Sequence, residues 1–231
     1  MLHPSTRIVP MPHTGAAARP DFEERAQSYM EWAELHSRLL TIVAVAVIVV
    51  AGGLWFYQKS HEARARNAAT ALNQAELAVG SGNLALAQSN LEKIVDRYSA
   101  TRSGKQARLL LAGVRYDRGQ YSEGVQTLQP LTTESDEYVR AAAFNLTGAG
   151  YEQQGKFAEA ADAYGEAAEA APSAVERDTY RANKARALTS GGKLDEAKKI
   201  WSDLAADPAS AAGAEARVRL GELEAKAAKQ G

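Results

Sequence analysis

A short glycine-led pattern recurs four times along the chain and constrains its fold more than any other feature. Each copy reads glycine, any residue, a large apolar residue, two spacers and then a small residue. The leading glycines are 37, 36 and 37 residues apart: Gly82, Gly119, Gly155 and Gly192. A fixed period of this length is typical of stacked helical hairpins, so the sequence predicts an all-α solenoid of about four units.

Further positions keep the same register around each glycine. A small residue stands seven positions before it, which suits the close crossing of two helices. These residues are Ala75, Ala112, Gly148 and Ala185. A large residue stands nine positions after each glycine, and in three of the four copies another stands twelve positions after it. We expect both to fill the groove between hairpins. They are Leu91, Leu128, Tyr164 and Trp201, then Ile94, Leu131, Ala167 and Leu204. The glycine itself is expected to end the first helix in a left-handed turn.

A half-unit at the end of the sequence is interpreted as a closing helix. Gly221 follows Ala185 by 36 residues, so we expect it to occupy the small-residue position of a fifth first helix. The outer face of such a helix is expected to be polar, because the end of a solenoid faces water.

The segment 39–57 contains 19 residues without a charge. At about 1.5 Å per residue, a helix of this length reaches about 28 Å, close to the hydrocarbon thickness of a bilayer. Trp55, Phe56 and Tyr57 would form an aromatic belt at its far end, and Trp32 at its near end. We therefore expect an uncleaved membrane anchor rather than a buried core helix or a cleaved signal peptide.

The remaining domain boundaries follow from composition. Residues 1–20 contain four of the seven prolines and are expected to form a disordered tail. Residues 21–38 have apolar residues spaced for an amphipathic juxtamembrane helix, which would lie at the membrane interface or dock onto a membrane partner. Residues 58–231 then form the repeat domain.

The residue inventory argues against chemistry within the repeats. Cysteine is absent, and the four histidines all precede the first repeat glycine. The usual nucleophile–base pairs therefore cannot form there. We predict no catalytic residue, no cofactor, no metal site and no small-molecule substrate, and hence no enzyme. The net charge of −1 predicts no nucleic-acid binding.

The binding alternative rests on the first helices of the hairpins, which line the concave face of such solenoids. Two interpretations remain open for the polar and large residues that the register places near this face. They pack against neighbouring units, or they line a groove for a peptide or a partner's helix. The candidate residues are Gln106, Leu109, Tyr116, Asn145, Glu152 and Arg186.

The order of small residue, inter-helix glycine, small residue and large residue resembles the tetratricopeptide repeat. The resemblance covers about residues 63–228, with Pro172 where that family often ends a unit. The period of 36 to 37 residues departs from the usual 34, and Arg115 stands where the family prefers an apolar ring.

The layout of tail, single span and repeats also resembles the ancillary subunit of the bacterial Sec translocon. This resemblance implies a cytoplasmic N-terminus and periplasmic repeats in the inner membrane. The implied partners are the SecYEG channel and a membrane-anchored chaperone of the prolyl-isomerase type. Basic residues flank the span evenly, so charge alone does not decide the orientation. The alternative is an accessory subunit that stabilises a respiratory or photosynthetic membrane complex.

Overall fold

The computed structural model describes residues 29–30, 32–33 and 35–228. The chain forms two units, 1–58 and 59–231. The expected disordered tail and most of the expected juxtamembrane helix lie outside the described residues, so these two expectations remain predictions.

The described residues form helices and connecting turns and contain no strand, which confirms the all-α prediction. One short 3₁₀ turn, Gln129–Leu131, follows α4. The helices are α1 (Ser37–Gly80), α2 (Leu84–Tyr98), α3 (Arg102–Asp117), α4 (Tyr121–Leu128), α5 (Glu137–Gln153), α6 (Phe157–Ala170), α7 (Ala174–Ser190), α8 (Leu194–Ala206) and α9 (Gly213–Ala228).

The four repeat glycines separate the two helices of each hairpin. Their φ angles lie between 71° and 78°, and no other described residue has a positive φ. A residue with a Cβ atom would be strained in this left-handed conformation. The prediction that these glycines end the first helix of each hairpin is confirmed.

Polar side chains begin the next hairpin in three places. Thr101 accepts a hydrogen bond from the backbone amide of Gly104 at 3.0 Å, and Asp136 caps α5 in the same manner. Ser173 accepts from the amide of Glu176 at 3.2 Å and donates to its carboxylate at 2.8 Å. Because these caps satisfy amides that lack a helical partner, α3, α5 and α7 each start at a defined residue.

In the four complete hairpins, the predicted positions seven before each glycine and nine and twelve after it are all buried. The small residues before each glycine and the large residues nine positions after it form the helix crossings and inter-hairpin contacts. α4 is short because Pro130 lies two residues after its end, yet Leu131 still reaches its predicted buried position through the 3₁₀ turn. The hairpin stack therefore tolerates a shortened second helix.

Two buried clusters stabilise the repeat domain. The first, which we name the aliphatic core, joins α1, α2 and α3. It comprises Leu72, Ala75, Ala78, Ala87, Leu91, Ile94, Val95, Ala107, Leu111 and Val114. The second, which we name the aromatic core, joins α6 to α9. It comprises Ala160, Ala161, Tyr164, Ala182, Ala185, Ala187, Leu188, Ala197, Trp201, Leu204, Ala212 and Ala216.

The expected register of the closing helix is wrong. Gly221 is exposed, and a Cβ atom there would meet nothing within 4 Å. The crossing residue is Ala216 instead, which is fully buried, with Leu220 and Leu223 half-buried beside the aromatic core. No second helix follows α9 within the described residues, so Gly221 has no partner helix to approach closely.

In the first unit, the described side chains of the apolar segment are exposed. The part of α1 that is apolar enough to cross a bilayer has none of its residues buried. By length and composition it is the one helix among the described residues with this property. The segment is therefore not a core element of the described fold.

Candidate interaction surface

Tyr116, near the end of α3, is a packing residue that reaches the next hairpin. Its hydroxyl donates to the backbone carbonyl of Leu146 at 3.0 Å. A Cβ atom at Gly124 or Gly150 would lie 2.3 Å or 2.4 Å from Tyr116 atoms. Burial raises the pKa of Tyr116, because its ionised form would lose hydration. The ring therefore occupies a slot made by two glycines rather than an open groove.

Glu152 receives a hydrogen bond from a buried aromatic residue. The hydroxyl of Tyr164, on α6, donates to Glu152 Oε2 at 2.6 Å. The ring of Tyr164 lies against Gly148, where an added Cβ would be 2.7 Å from the ring. Burial raises the pKa of Tyr164 most strongly, and the hydrogen bond to the Glu152 carboxylate raises it further. Glu152 is thus positioned by the aromatic core beneath it.

A polar network joins the first helices of successive hairpins. Asn183, on α7, donates to Asn145 Oδ1 on α5 at 2.8 Å. The guanidinium of Arg186 donates to Asn183 Oδ1. Arg186 Nε also lies 3.7 Å from Glu215 Oε1 on α9. The network therefore links α5, α7 and α9 through side chains on one face of the stack.

The network continues along α9. Glu215 Oε1 lies 3.6 Å from Arg219 Nε, and Arg219 Nη1 lies 2.9 Å from Glu222 Oε2. These pairs are partly exposed, so each contributes little to stability on its own. They place carboxylates and guanidiniums alternately along α9.

A cavity of about 320 Å³ opens beside this network. Carboxylates and guanidiniums both line it, together with two apolar side chains. The lining residues are Glu152, Arg186, Thr189, Ser190, Trp201, Arg219, Glu222 and Leu223. The site suits a segment that combines an apolar side chain with charged or polar groups.

The six residues expected on the concave face thus separate into three groups. Glu152 and Arg186 line the cavity, and Asn145 is joined to Arg186 through Asn183. Tyr116 packs between hairpins. Gln106, which is exposed, and Leu109, which is half-buried, lie on α3 and do not line this cavity.

The sequence patterns missed several residues of this surface. Asn183 stands 38 positions after Asn145, close to one repeat period, and this spacing was a usable signal. Trp201 was expected only as a groove-filling core residue, yet it also borders the cavity. Arg219 and Glu222 were not predicted, because the expected register of α9 placed Gly221, and not Ala216, at the helix crossing.

The expected membrane-interface residues belong to the first unit. Trp55, Phe56 and Tyr57 are each more than 60% exposed, and Trp32 is about half exposed. Trp32 stacks on His36 with their ring centroids 4.7 Å apart. Exposed aromatic side chains are compatible with a lipid interface, and the placement of these four residues at one remains a prediction.

Metal-ligand groups do not converge in the described part of the chain. Among residues 29–30, 32–33 and 35–228, no group of three or more His, Asp or Glu side chains is close enough to hold a metal ion.

Comparison with known families gives a match over residues 58–186 to the family described as "Tetratricopeptide repeat-like domain". This match covers more than half of the chain. The chain belongs to the tetratricopeptide repeat-like family. None of the curated proteins matches it.

Solved structures agree with this repeat fold. The crystal structure of the nearly identical TPR-like repeats of a candidate kinesin light chain from Podosopora anserina matches with a TM-score of 0.57 and 19% identity. The match covers 72% of this chain and 90% of that one. A single-substitution form of the same repeats gives the same TM-score and identity, and the match covers 89% of that chain. At this identity the likeness concerns the fold alone.

Tetratricopeptide-like repeats are typically interaction scaffolds without catalytic activity, and the family match indicates no catalytic family. Protein–protein interaction is therefore the general role that the fold supports.

Proposed function

We propose that this chain is a membrane-anchored interaction scaffold that links the Sec translocon of the bacterial inner membrane to chaperones for secreted proteins. Residues 39–57 anchor it with the N-terminus in the cytoplasm. The repeat domain lies in the periplasm and acts by offering a surface to its partners.

The observation that carries the proposal is the joining of two features in one chain. A stretch of 19 uncharged residues, whose described side chains are exposed, precedes a domain of the tetratricopeptide repeat-like family. An exposed apolar helix of this length is costly in water and stable in a bilayer. The anchor supplies location, and the repeats supply the binding surface.

The cavity beside Glu152 and Arg186 supports binding of a polypeptide segment. Its side chains are already held by hydrogen bonds and ion pairs, so a ligand would order few of them on binding. Leu223 offers apolar contact beside the buried Trp201, and the surrounding charges favour polar groups on the rest of the ligand. A partner helix or an extended peptide fits this chemistry.

The translocon and chaperone are proposed from the resemblance in layout. A site-specific crosslinking experiment in native membranes tests them. A photoreactive amino acid replaces Gln106 or Arg186 on the first helices, or Lys198 on α8 as a control, and each of these positions is exposed. We expect SecY, the chaperone and nascent secreted chains to crosslink from Gln106 and Arg186 and not from Lys198.

Two outcomes would contradict the proposal. Crosslinks to one respiratory or photosynthetic complex would support an accessory subunit instead. Equal crosslinking from all three positions would show that the first helices form no selective surface.

The orientation is tested separately by protease treatment of intact spheroplasts. Digestion of the repeat domain from outside is the expected result. Complete protection, with digestion only after lysis, would place the repeats in the cytoplasm and would remove the secretion role.

A further inference from the structure

Positive charge is concentrated at the beginning of the repeat domain. Residues 59–105 contain seven Lys or Arg and four Asp or Glu, a net charge of +3. Residues 106–231 contain sixteen and nineteen, a net charge of −3. The near-zero charge of the whole chain therefore hides a basic end that directly follows the apolar segment.

Part of this charge surrounds a cavity of about 300 Å³ between α1 and the turn that joins α2 to α3. Three arginines line it: Arg64 on α1, Arg97 in the last turn of α2 and Arg102 at the start of α3. Its lining contains no Asp or Glu, whereas the hydroxyl-bearing residues Ser99 and Thr101 are included. The chain thus brings together three guanidiniums that are up to 38 residues apart in sequence.

The three guanidiniums are not neutralised within the described residues. None of them forms an ion pair with a carboxylate of residues 35–228, and all three residues are exposed. Other basic residues of the domain do form such pairs, for example Lys105 with Glu134 at 2.5 Å and Arg181 with Asp203 at 3.3 Å. An anion from outside the domain is the natural counter-charge.

Chain length limits how far this cluster can lie from the apolar segment. Arg64 is seven residues after Tyr57, a distance of at most about 25 Å even for a fully extended chain. If residues 39–57 span a bilayer, Arg64 lies near the headgroups, and Arg97 and Arg102 share its cavity. Attraction between such charges and an anionic surface decays over about 10 Å at 0.1 M salt, so the proposed site requires Arg64 to lie well inside this chain-length limit.

The geometry points to a binding site for the phosphate group of an anionic phospholipid, formed by Arg64, Arg97 and Arg102. This inference rests on the proposed membrane anchor and goes beyond it, because it assigns the repeat domain its own lipid contact. Guanidiniums bind phosphate through two parallel hydrogen bonds, which a Lys cannot reproduce.

The test uses the full chain in detergent micelles with equal amounts of phosphatidylglycerol and phosphatidylcholine. Native mass spectrometry measures the ratio of the two lipids retained. The triple variant Arg64→Gln, Arg97→Gln, Arg102→Gln is compared with the wild type. The matched control carries Arg177→Gln, Arg181→Gln, Lys184→Gln, which removes three positive charges around another cavity, on α7.

We expect the wild type and the control to retain phosphatidylglycerol preferentially. The triple variant is expected to lose most of this preference. The ratio of phosphatidylglycerol to phosphatidylcholine retained should fall roughly fivefold for each arginine removed. A variant with Lys at the same three positions should fall between them, since it keeps the charge and loses the paired hydrogen bonds. Circular dichroism verifies that every variant keeps its helices.

Three results would overturn the inference. They are a wild type without lipid preference, a control variant that loses the preference equally, and displacement of the lipid by millimolar inorganic phosphate. Alkaline carbonate extraction of membranes tests the anchor independently. An anchored chain without lipid preference refutes only this site, whereas release by carbonate refutes the proposed anchoring itself.

Discussion

The two halves of the repeat domain form the same hairpins with different core residues. The aliphatic core pairs Ala75 with Leu91 at its first helix crossing. The aromatic core uses Tyr164 and Trp201 at the equivalent large positions, and eight of its twelve residues are alanine. Large aromatic rings fit between closely approaching helices only because the residues around them are small.

The glycines show how this balance is reached. Gly148 replaces the alanine found at the other three crossings, and an added Cβ there would lie 2.7 Å from the Tyr164 ring. Gly124 likewise replaces alanine where the ring of Tyr116 passes. Two departures from the repeat pattern are therefore compensations for two tyrosines. Ala185 stands at the same crossing position in the hairpin that contains Trp201, so this compensation is specific to the two tyrosines and not a rule of every unit.

The largest effect is expected at Trp201, which is fully buried. Trp201→Ala should lower the free energy of unfolding by about 4 kcal/mol, because it leaves a large cavity among alanines that cannot fill it. Leu91→Ala in the aliphatic core should cost about 1 kcal/mol less. Urea unfolding followed by circular dichroism measures both. A smaller loss of unfolding free energy for Trp201→Ala than for Leu91→Ala would contradict the view that one aromatic ring stabilises the aromatic core more than one leucine stabilises the aliphatic core.

A swap of one crossing tests the volume argument directly. Gly148→Ala should destabilise the domain by about 2 kcal/mol, because the new methyl group overlaps the Tyr164 ring. Adding Tyr164→Leu recreates the Ala–Leu pair of the first hairpin and should recover a large part of this loss. A double-mutant cycle gives the coupling between the two positions. Additive effects, with no coupling, would refute the compensation.

The turn glycines should behave alike in both halves. Gly82→Ala and Gly155→Ala should each cost about 1 to 2 kcal/mol, since both have φ above +70° and open space where a Cβ would lie. Gly113→Ala is the matched control, because that glycine is inside α3 with equally open space. It should stabilise the domain by up to about 1 kcal/mol. Thermal unfolding would reveal any difference between the two turns.

Tyr164 should give the aromatic core a sensitivity to alkali. Burial and the hydrogen bond to Glu152 raise its folded-state pKa above the value of about 10 for an unfolded tyrosine. The unfolded chain therefore loses this proton first, and stability present below pH 10 decreases as the pH rises towards the folded-state pKa.

Tyr164→Phe should cost about 1 kcal/mol at neutral pH through the lost hydrogen bond. Its stability should then decline less steeply above pH 10, by up to about 1.4 kcal/mol per pH unit. Unfolding free energies between pH 8 and pH 11 measure this slope. The exposed Tyr138→Phe variant should keep the wild-type slope, and a wild-type slope in Tyr164→Phe would exclude the proposed contribution.

The candidate surface was predictable only in part. Periodicity placed Asn145, Glu152 and Arg186 on first helices. Asn145 and Arg186 share one polar network, and Glu152 lines the cavity beside it. Tyr116 has the same spacing but packs into a slot, because Gly124 and Gly150 leave room for its ring. No local pattern distinguishes these outcomes, since both depend on the side chains of the next hairpin.

The sequence by itself determined the hairpins, their turns and their buried registers, together with the uncharged segment 39–57. These features follow from local rules: left-handed φ at glycine, small residues at crossings, and apolar length. Only the tertiary structure decided that Ala216 replaces Gly221 at the last crossing. It also decided that Arg64, Arg97 and Arg102 share one cavity. Both depend on which helices are neighbours in space, and a repeat period does not specify this at the two ends of the stack.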